Sequence, residues 1–259
     1  MVFKKKIEDL IVSRNTRLNK RHFLLELTSE NPFPVMLPGQ FAQVRVDGSP
    51  PTFLRRPFSI HEVDPSRNLF RLLIQVKGEG TRQLALAREG DRINVIFPLG
   101  NAFSLPSSPE VLLVGGGCGV APLLFLAQFL ARQHVVPKIL LGFRTKEEMF
   151  ETENYSRYGE LLITTDDGSY GSKGLVVDHP VFQTEHFPFR KIYCCGPEAM
   201  MRAVAKIAAF HRVDCEVSLE NMMACGFGVC LCCVTPTDKG HERVCVEGPV
   251  FNTKRLGWQ

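Results

Sequence analysis

Four cysteines fall within nine residues of the stretch "MACGFGVCLCC": Cys225, Cys230, Cys232 and Cys233, and Cys245 follows after a short gap. With Cys232 set aside, the spacing is C-x4-C-x2-C-x11-C, the plant-type arrangement of three close thiolates and one distant one around a 2Fe-2S cluster. Gly226 and Gly228 let such a loop wrap, so that backbone N–H groups can face sulfur. A structural zinc site usually shows two C-x2-C knuckles, and only Cys230 and Cys233 form one here. Side chains of adjacent residues converge poorly on one iron, which makes Cys232 a spectator or packing thiol. On the residues alone a cluster is favoured, with zinc and disulfides left open.

Two glycine-rich turns suit an anionic diphosphate. "VGGGCGVAP" follows an expected strand and opens a helix, so Gly115, Gly117 and Gly119 would allow close backbone approach at a helix N-terminus. Pro122 stands where the common dinucleotide fingerprint has another glycine, and such turns also serve packing. "CCGPEAM" repeats the strand-to-helix pattern, with Cys195, Gly196 and Pro197 at the turn. In an open α/β sheet both turns lie at the carboxyl ends of strands, where the ligand crevice forms. "TTDDGSYGSKG" is a third loop of this kind, although Asp166 and Asp167 equally suit a solvated turn. Nearer the N-terminus, "RRPFSI" and "KGEGT" offer a cation at Arg56, an aromatic face at Phe58 and hydroxyls at Ser59 and Thr81. Gly78 and Gly80 add backbone donors. Together they could hold a phosphate and a flat ring; the plain alternative is a surface strand and a turn.

The elements that must position these residues divide the chain. Up to about residue 100, six short stretches carry alternating or β-branched apolar residues bounded by Gly, Pro, Asn or Asp, and one helical interruption falls at Thr81 to Ala87. They predict an antiparallel six-stranded β-barrel over 1–104. From Glu110 the rhythm becomes strand then helix, which predicts a doubly wound parallel α/β domain over 105–214. "SLPSSPE" lies between the two patterns. The last segment, 215–259, loses periodicity and is expected to be a small subdomain that buries little core of its own. Val111 to Ala131 carries no charge over 21 residues, but its glycines and Pro122 fit strand, turn and helix rather than a membrane span.

Bulk properties exclude other classes. The net charge is only +4 over 259 residues, without basic clusters, so nucleic acid is not an expected partner. The basic start is followed by charges rather than an apolar run, so no export signal is expected. Nine cysteines then belong in a reducing cytoplasm, where clustered thiols favour metal. Cys118, Cys194 and Cys215 read as core thiols. The seven histidines show no metal-ligand spacing, and none is assigned a catalytic role.

In this order, "RPFS", "GEGT", "GGGCGVAP" and "CGPEAM" resemble the motifs of the ferredoxin-reductase-like flavoproteins. The segment "ACGFGVCLCC…RVCVEGPVF" is narrower and resembles the iron–sulfur segment of electron-transfer subunits of NAD-dependent dihydroorotate dehydrogenase. That resemblance covers essentially the whole chain. It implies FAD held by Arg56, Pro57, Phe58 and Ser59, by Leu73, Ile74 and Gln75, and by Gly80 and Thr81. It implies NAD(H) at the glycine turns and a 2Fe-2S cluster on Cys225, Cys230, Cys233 and Cys245. It also implies an FMN-containing catalytic subunit that oxidises dihydroorotate, in a heterotetramer of two plus two, serving UMP synthesis. Flavin exchanges hydride and the cluster single electrons, so the pair converts one to the other. Cys232 stands where that family often has Gly, and Cys118 where a larger apolar residue is usual; neither removes a ligand. Arg144 and Lys146 beside Glu147 and Glu148 leave NAD against NADP open on residues alone. The rivals are a subunit of an NADH-dependent ferredoxin:NADP oxidoreductase and a zinc-stabilised module without redox activity.

Overall fold

The computed structural model describes residues 5–49, 51–184 and 186–258; the basic start at Met1 to Lys4 lies outside them. The first six strands are β1 (Lys6–Arg17), β2 (His22–Thr28), β3 (Phe41–Val44), β4 (Arg56–Asp64), β5 (Leu69–Gln75) and β6 (Arg92–Leu99). They close antiparallel in the order β1-β2-β5-β4-β3-β6, the barrel that the alternation predicts. The helix between β5 and β6 is α1 (Glu79–Leu84), shifted toward the N-terminus of the expected span. Thr81 causes the shift. Its hydroxyl accepts from the N–H groups of Lys77 and Gly78 at 2.9 and 3.1 Å, which places it inside the first turn rather than ahead of it.

The second half opens with β7 (Val111–Gly116), then α2 (Ala121–Arg132), β8 (Lys138–Phe143), α3 (Thr152–Ser156), β9 (Glu160–Thr165) and β10 (Ser172–Lys173). It continues with β11 (Lys191–Cys195), α4 (Glu198–Phe210) and β12 (Asp214–Ser218). The tail supplies β13 (Val234–Thr237), β14 (Gly240–Arg243) and β15 (Val250–Asn252). Seven strands form one sheet in the order β10-β9-β8-β7-β11-β12-β15. All pairs are parallel except β12 with β15, where Val217 faces Phe251. The strand order reverses between β7 and β11, the switch point at which such sheets bind ligands.

The uncharged stretch Val111 to Ala131 becomes strand, tight turn and helix. Nine of the twelve residues of α2 are buried because it lies between the barrel and the sheet. Phe125 enters the barrel's cluster with Ile60 and Leu72, whereas Leu123, Leu124 and Leu130 pack under the sheet. Among the described residues, no helix is long and apolar enough to cross a membrane. On the barrel side, His61 donates from Nδ1 to the Ala121 carbonyl at 2.8 Å, and Gln128 donates to Glu62 at 2.6 Å. These bonds fix α2 against β4.

The connector between barrel and sheet is anchored at Ser104. Its hydroxyl donates to Glu216 at 2.6 Å, its N–H reaches the same carboxylate at 3.0 Å, and its carbonyl accepts from Tyr193 at 2.6 Å. Lys191, only 5% exposed along its side chain, donates to Ser104 and pairs with Asp214 at 2.5 Å and Glu216 at 3.1 Å. The tail also buries core: Cys233, Val244, Cys245, Phe251 and Trp258 join the cluster beneath β11 and β12.

Burial opposes ionisation of Asp214, but the Lys191 ammonium outweighs it and holds the carboxyl below its ordinary 3.8. A depressed carboxylate contributes stability above the unfolded pKa and loses it as pH falls through the folded value. Asp214→Asn should therefore cost roughly 1 kcal/mol near neutrality, a half-exposed pair being partly screened. In thermal melts across pH, the gap between parent and variant should be full above about pH 4 and close below it.

Candidate functional site

A cavity of about 660 Å³ lies between the barrel and the C-terminal segment. Arg56, Pro57, Phe58 and Ser59 of β4 line it, with Leu73 and Gln75 of β5 and the turn from Gly78 to Thr81. Ile74, between the two β5 residues, points into the barrel core and is fully buried. Among the described residues Arg56 hydrogen-bonds only the carbonyls of Leu54 and Arg55, so its charge stays free for an anion. The opposite wall runs from Ser218 to Met223, with Pro249. The volume and the mixed apolar and cationic lining suit a flat ring carrying phosphate.

A second cavity, about 730 Å³, opens at the carboxyl ends of β7, β8 and β11. Gly117, Cys118 and Gly119 line it from one turn, Gly196 and Pro197 from the other. Pairing of Gly115 with Cys195 sets these turns side by side. They touch at Gly119, where a Cβ would fall 2.3 Å from the Gly196 Cα. Gly115 itself packs against Val120, Leu123 and Leu141 and does not reach the cavity, and Cys195 is fully buried behind it. Burial pushes the Cys195 thiol well up. Arg144, Glu148 and Asp166 line the far end, whereas Asp167 accepts from Ser169 in a turn.

The two cavities share Gln75, Lys77, Cys118 and Glu220, so a group in one meets a group in the other there. Glu220 and Lys77 carry no motif signal, being single charges at strand ends that only the fold brings together. Glu220 is exposed at the cavity rim, yet the protein atoms gathered round it raise its carboxyl above the ordinary range, with Lys77 pulling it down. Cys118, expected in the core, is half-buried where the cavities meet, and the protein packed round it pushes its thiol up to about 12, so it stays protonated at neutral pH. His22, missed for want of any spacing, also lines the nucleotide cavity; burial brings its imidazole down to about 4.

The cysteine loop stands immediately behind the wall formed by residues 218–223. Its thiols come together as pairs, Cys225 with Cys230 and Cys233 with Cys245. The Cys245 N–H also points at the Cys233 sulfur, at 3.4 Å. Among the described residues no three His, Cys, Asp or Glu side chains gather as a group for one metal ion. Neighbouring thiols in this spacing suit the two irons of a 2Fe-2S cluster. Burial opposes ionisation of Cys225, but the nearby backbone N–H groups of Cys230, Phe227 and Val229 and the Cys230 thiol bring it down to about 6. Gly226, at φ +80°, supplies the left-handed step this wrap requires. Cys232 is exposed, whereas Cys233 and Cys245 are buried.

A nucleotide-sized cavity meeting a barrel cavity over four residues is the layout of the ferredoxin-reductase-like flavoproteins, and paired thiols behind the second wall add one-electron chemistry. Fold and site thus define an iron–sulfur flavoprotein reductase that uses a pyridine nucleotide. Residues 220–257 match the family model "Iron-sulfur cluster binding domain of dihydroorotate dehydrogenase B", and residues 113–206 match "Oxidoreductase NAD-binding domain". The dihydroorotate dehydrogenase B (NAD(+)) electron transfer subunit of Fusobacterium nucleatum is 37% identical over 253 residues, covering 95% of this chain and 96% of its own. That of Caldanaerobacter subterraneus is 42% identical over 218 residues, covering 83% and 84%. A solved NADH-dependent reduced ferredoxin–NADP oxidoreductase superposes with a TM-score of 0.87 at 30% identity, covering 97% of this chain and 90% of that one. Phthalate dioxygenase reductase, at 20% identity and a TM-score of 0.66 over 94% of each chain, shares the fold. The chain belongs to the family of dihydroorotate dehydrogenase B electron transfer subunits.

Because the two turns touch at Gly119, Gly119→Ala must separate them, at an overpacking cost of about 1–3 kcal/mol. NADH affinity measured by titration should fall at least ~10-fold, which is about 1.4 kcal/mol, while flavin and iron content stay at parent levels.

Proposed function

We propose that this chain carries electrons drawn from dihydroorotate by an FMN-containing catalytic partner to NAD+, as a step of pyrimidine synthesis. The observation that carries this reading is one continuous segment: residues 218–223 wall the barrel cavity, and the same strand end leads within two residues to Cys225. When bound, FAD supplies two-electron hydride exchange and a 2Fe-2S cluster supplies one-electron steps.

The residues divide the work of holding these groups. Arg56 offers its free guanidinium to the flavin diphosphate, helped by Gly80 and Thr81 at the start of α1. Pro57, Phe58, Ser59, Leu73 and Gln75 present the surface for the ring, and Ile74 holds β5 to the barrel from the inside. Gly117, Gly119, Gly196 and Pro197 take the pyridine nucleotide, with Gly115 and Cys195 as the packed floor that sets the turns. Cys225, Cys230, Cys233 and Cys245 hold the cluster as two pairs. Lys77, Cys118, Gln75 and Glu220, common to both cavities, would border both groups when bound. No general acid or base is assigned.

The exposed rim of the cluster loop carries Phe227, Val229 and Leu231, with Met222 beside it, an apolar surface that fits a partner protein. The proposal includes a heterotetramer of two copies of each subunit, a cytoplasmic location suited to nine free cysteines, and a functional division at 1–104, 105–214 and 215–259.

The decisive test is reconstitution. The full chain with its FMN-bearing partner should form orotate and NADH from dihydroorotate and NAD+, and a colourless, zinc-loaded chain would overturn the proposal. Cys245→Ser should abolish that coupling, at least 100-fold by NADH absorbance, because it removes half of one iron's thiolate pair. NADH oxidation by a hydride-accepting dye, which needs only flavin and nucleotide, should stay within about 3-fold of the parent.

A further inference from the structure

Gln43 stands between the flavin strand and the cluster loop. On β3 it faces Pro57 of β4 on one side and Ile96 of β6 on the other. Its side chain is fully buried, yet neither its amide nitrogen nor its amide oxygen has a hydrogen-bond partner. A buried amide left unpaired costs free energy, and an apolar side chain of that shape would serve β3 better if nothing were to meet it. The amide is not lost in the barrel core. It lies against the cysteine loop, where a Cβ on Gly226 would fall 2.6 Å from its Cγ and 2.8 Å from its Nε2. Gly226 directly follows Cys225, the first cysteine of the loop. The barrel thus brings an unpaired amide donor against the residue next to that cysteine.

Resting on the cluster assignment above, we propose that Gln43 is a positioning residue whose amide N–H donates to the sulfurs held at Cys225 and sets the reduction potential of the cluster. Thiolate and sulfide sulfurs are anionic acceptors, and they gain charge when the cluster takes an electron. A donor aimed at them binds the reduced form more strongly and raises the potential. The backbone around Gln43 is held independently of its side chain, since Arg55 reaches the carbonyls of Gln43 and Asn94 at 3.4 and 3.0 Å. A change of side chain therefore alters the donor without moving β3.

The test uses the flavin- and iron-loaded full chain. Gln43→Met keeps the volume and removes the amide; Gln43→Glu keeps the shape and replaces the donor with an acceptor. Both should retain the parent's iron and sulfide content. In redox titrations followed by cluster absorbance, Gln43→Met should lower the reduced-to-oxidised ratio at fixed potential about 10-fold, which is ~59 mV for one electron. Gln43→Glu should lower it further. A second measurement needs no variant. The parent, labelled with ¹⁵N only on glutamine side-chain amides and chemically reduced, should show a ¹⁵N coupling to the cluster in pulsed electron paramagnetic resonance. Unshifted potentials in iron-replete variants, or no amide coupling in the parent, would overturn the role of Gln43 and leave the cluster assignment standing. A parent chain without iron and sulfide would overturn both.

Discussion

Burial of α2 between the barrel and the sheet is the constraint on which the site depends. A helix that is apolar on nearly every side has no face for water, so it is stable only where two layers cover it at once. Phe125 enters the barrel cluster while its neighbours fill the space beneath the sheet, and His61 and Gln128 make the seam polar and specific. This contact decides where the carboxyl ends of β7 and β11 point relative to β4 and β5. The two cavities meet at Cys118, just ahead of α2, as a direct consequence.

A second constraint acts at the opposite edge of the sheet. The cysteine segment begins where β12 ends and returns to it as β15, so its long excursion is closed at both ends by one antiparallel pair. Between these ends a short hairpin and a buried set including Val244, Cys245 and Phe251 replace the core that the segment's composition does not promise. Close tethering gives the thiol pairs fixed positions behind the cavity wall. Nearby backbone N–H groups of the loop favour anionic sulfur at Cys225 against its partial burial. Gly226 lies against Gln43 of the barrel, so the segment is held by both domains rather than carried by one.

Much of this architecture was readable from pattern. The short apolar runs of the barrel strands, and the change to strand and helix at Glu110, depend on local burial and turn chemistry that each stretch carries by itself. The family resemblance was readable for another reason: cysteine spacing and ordered glycine turns are chemical demands expressed over a few residues. Other features had no such expression. Nothing in the sequence separates Gly115, which packs under Leu123 and Leu141, from Gly117 and Gly119, which open to the cavity. Likewise Ile74 and its two neighbours read alike as one strand, although only its neighbours reach the barrel cavity. The start of α1 moved because a threonine hydroxyl caps backward, a choice made by the turn it closes.

By itself the sequence determined the barrel, the parallel sheet, the order of the motifs and the presence of four thiols at cluster spacing, because each is encoded in residue type over short range. Tertiary structure alone decided the meeting of the cavities at Gln75, Lys77, Cys118 and Glu220. It alone decided the division of the cysteines into two pairs and the placing of Gln43 against Gly226. Those contacts join residues from distant parts of the chain. Their chemistry arises from burial and proximity, which no single stretch of the chain records.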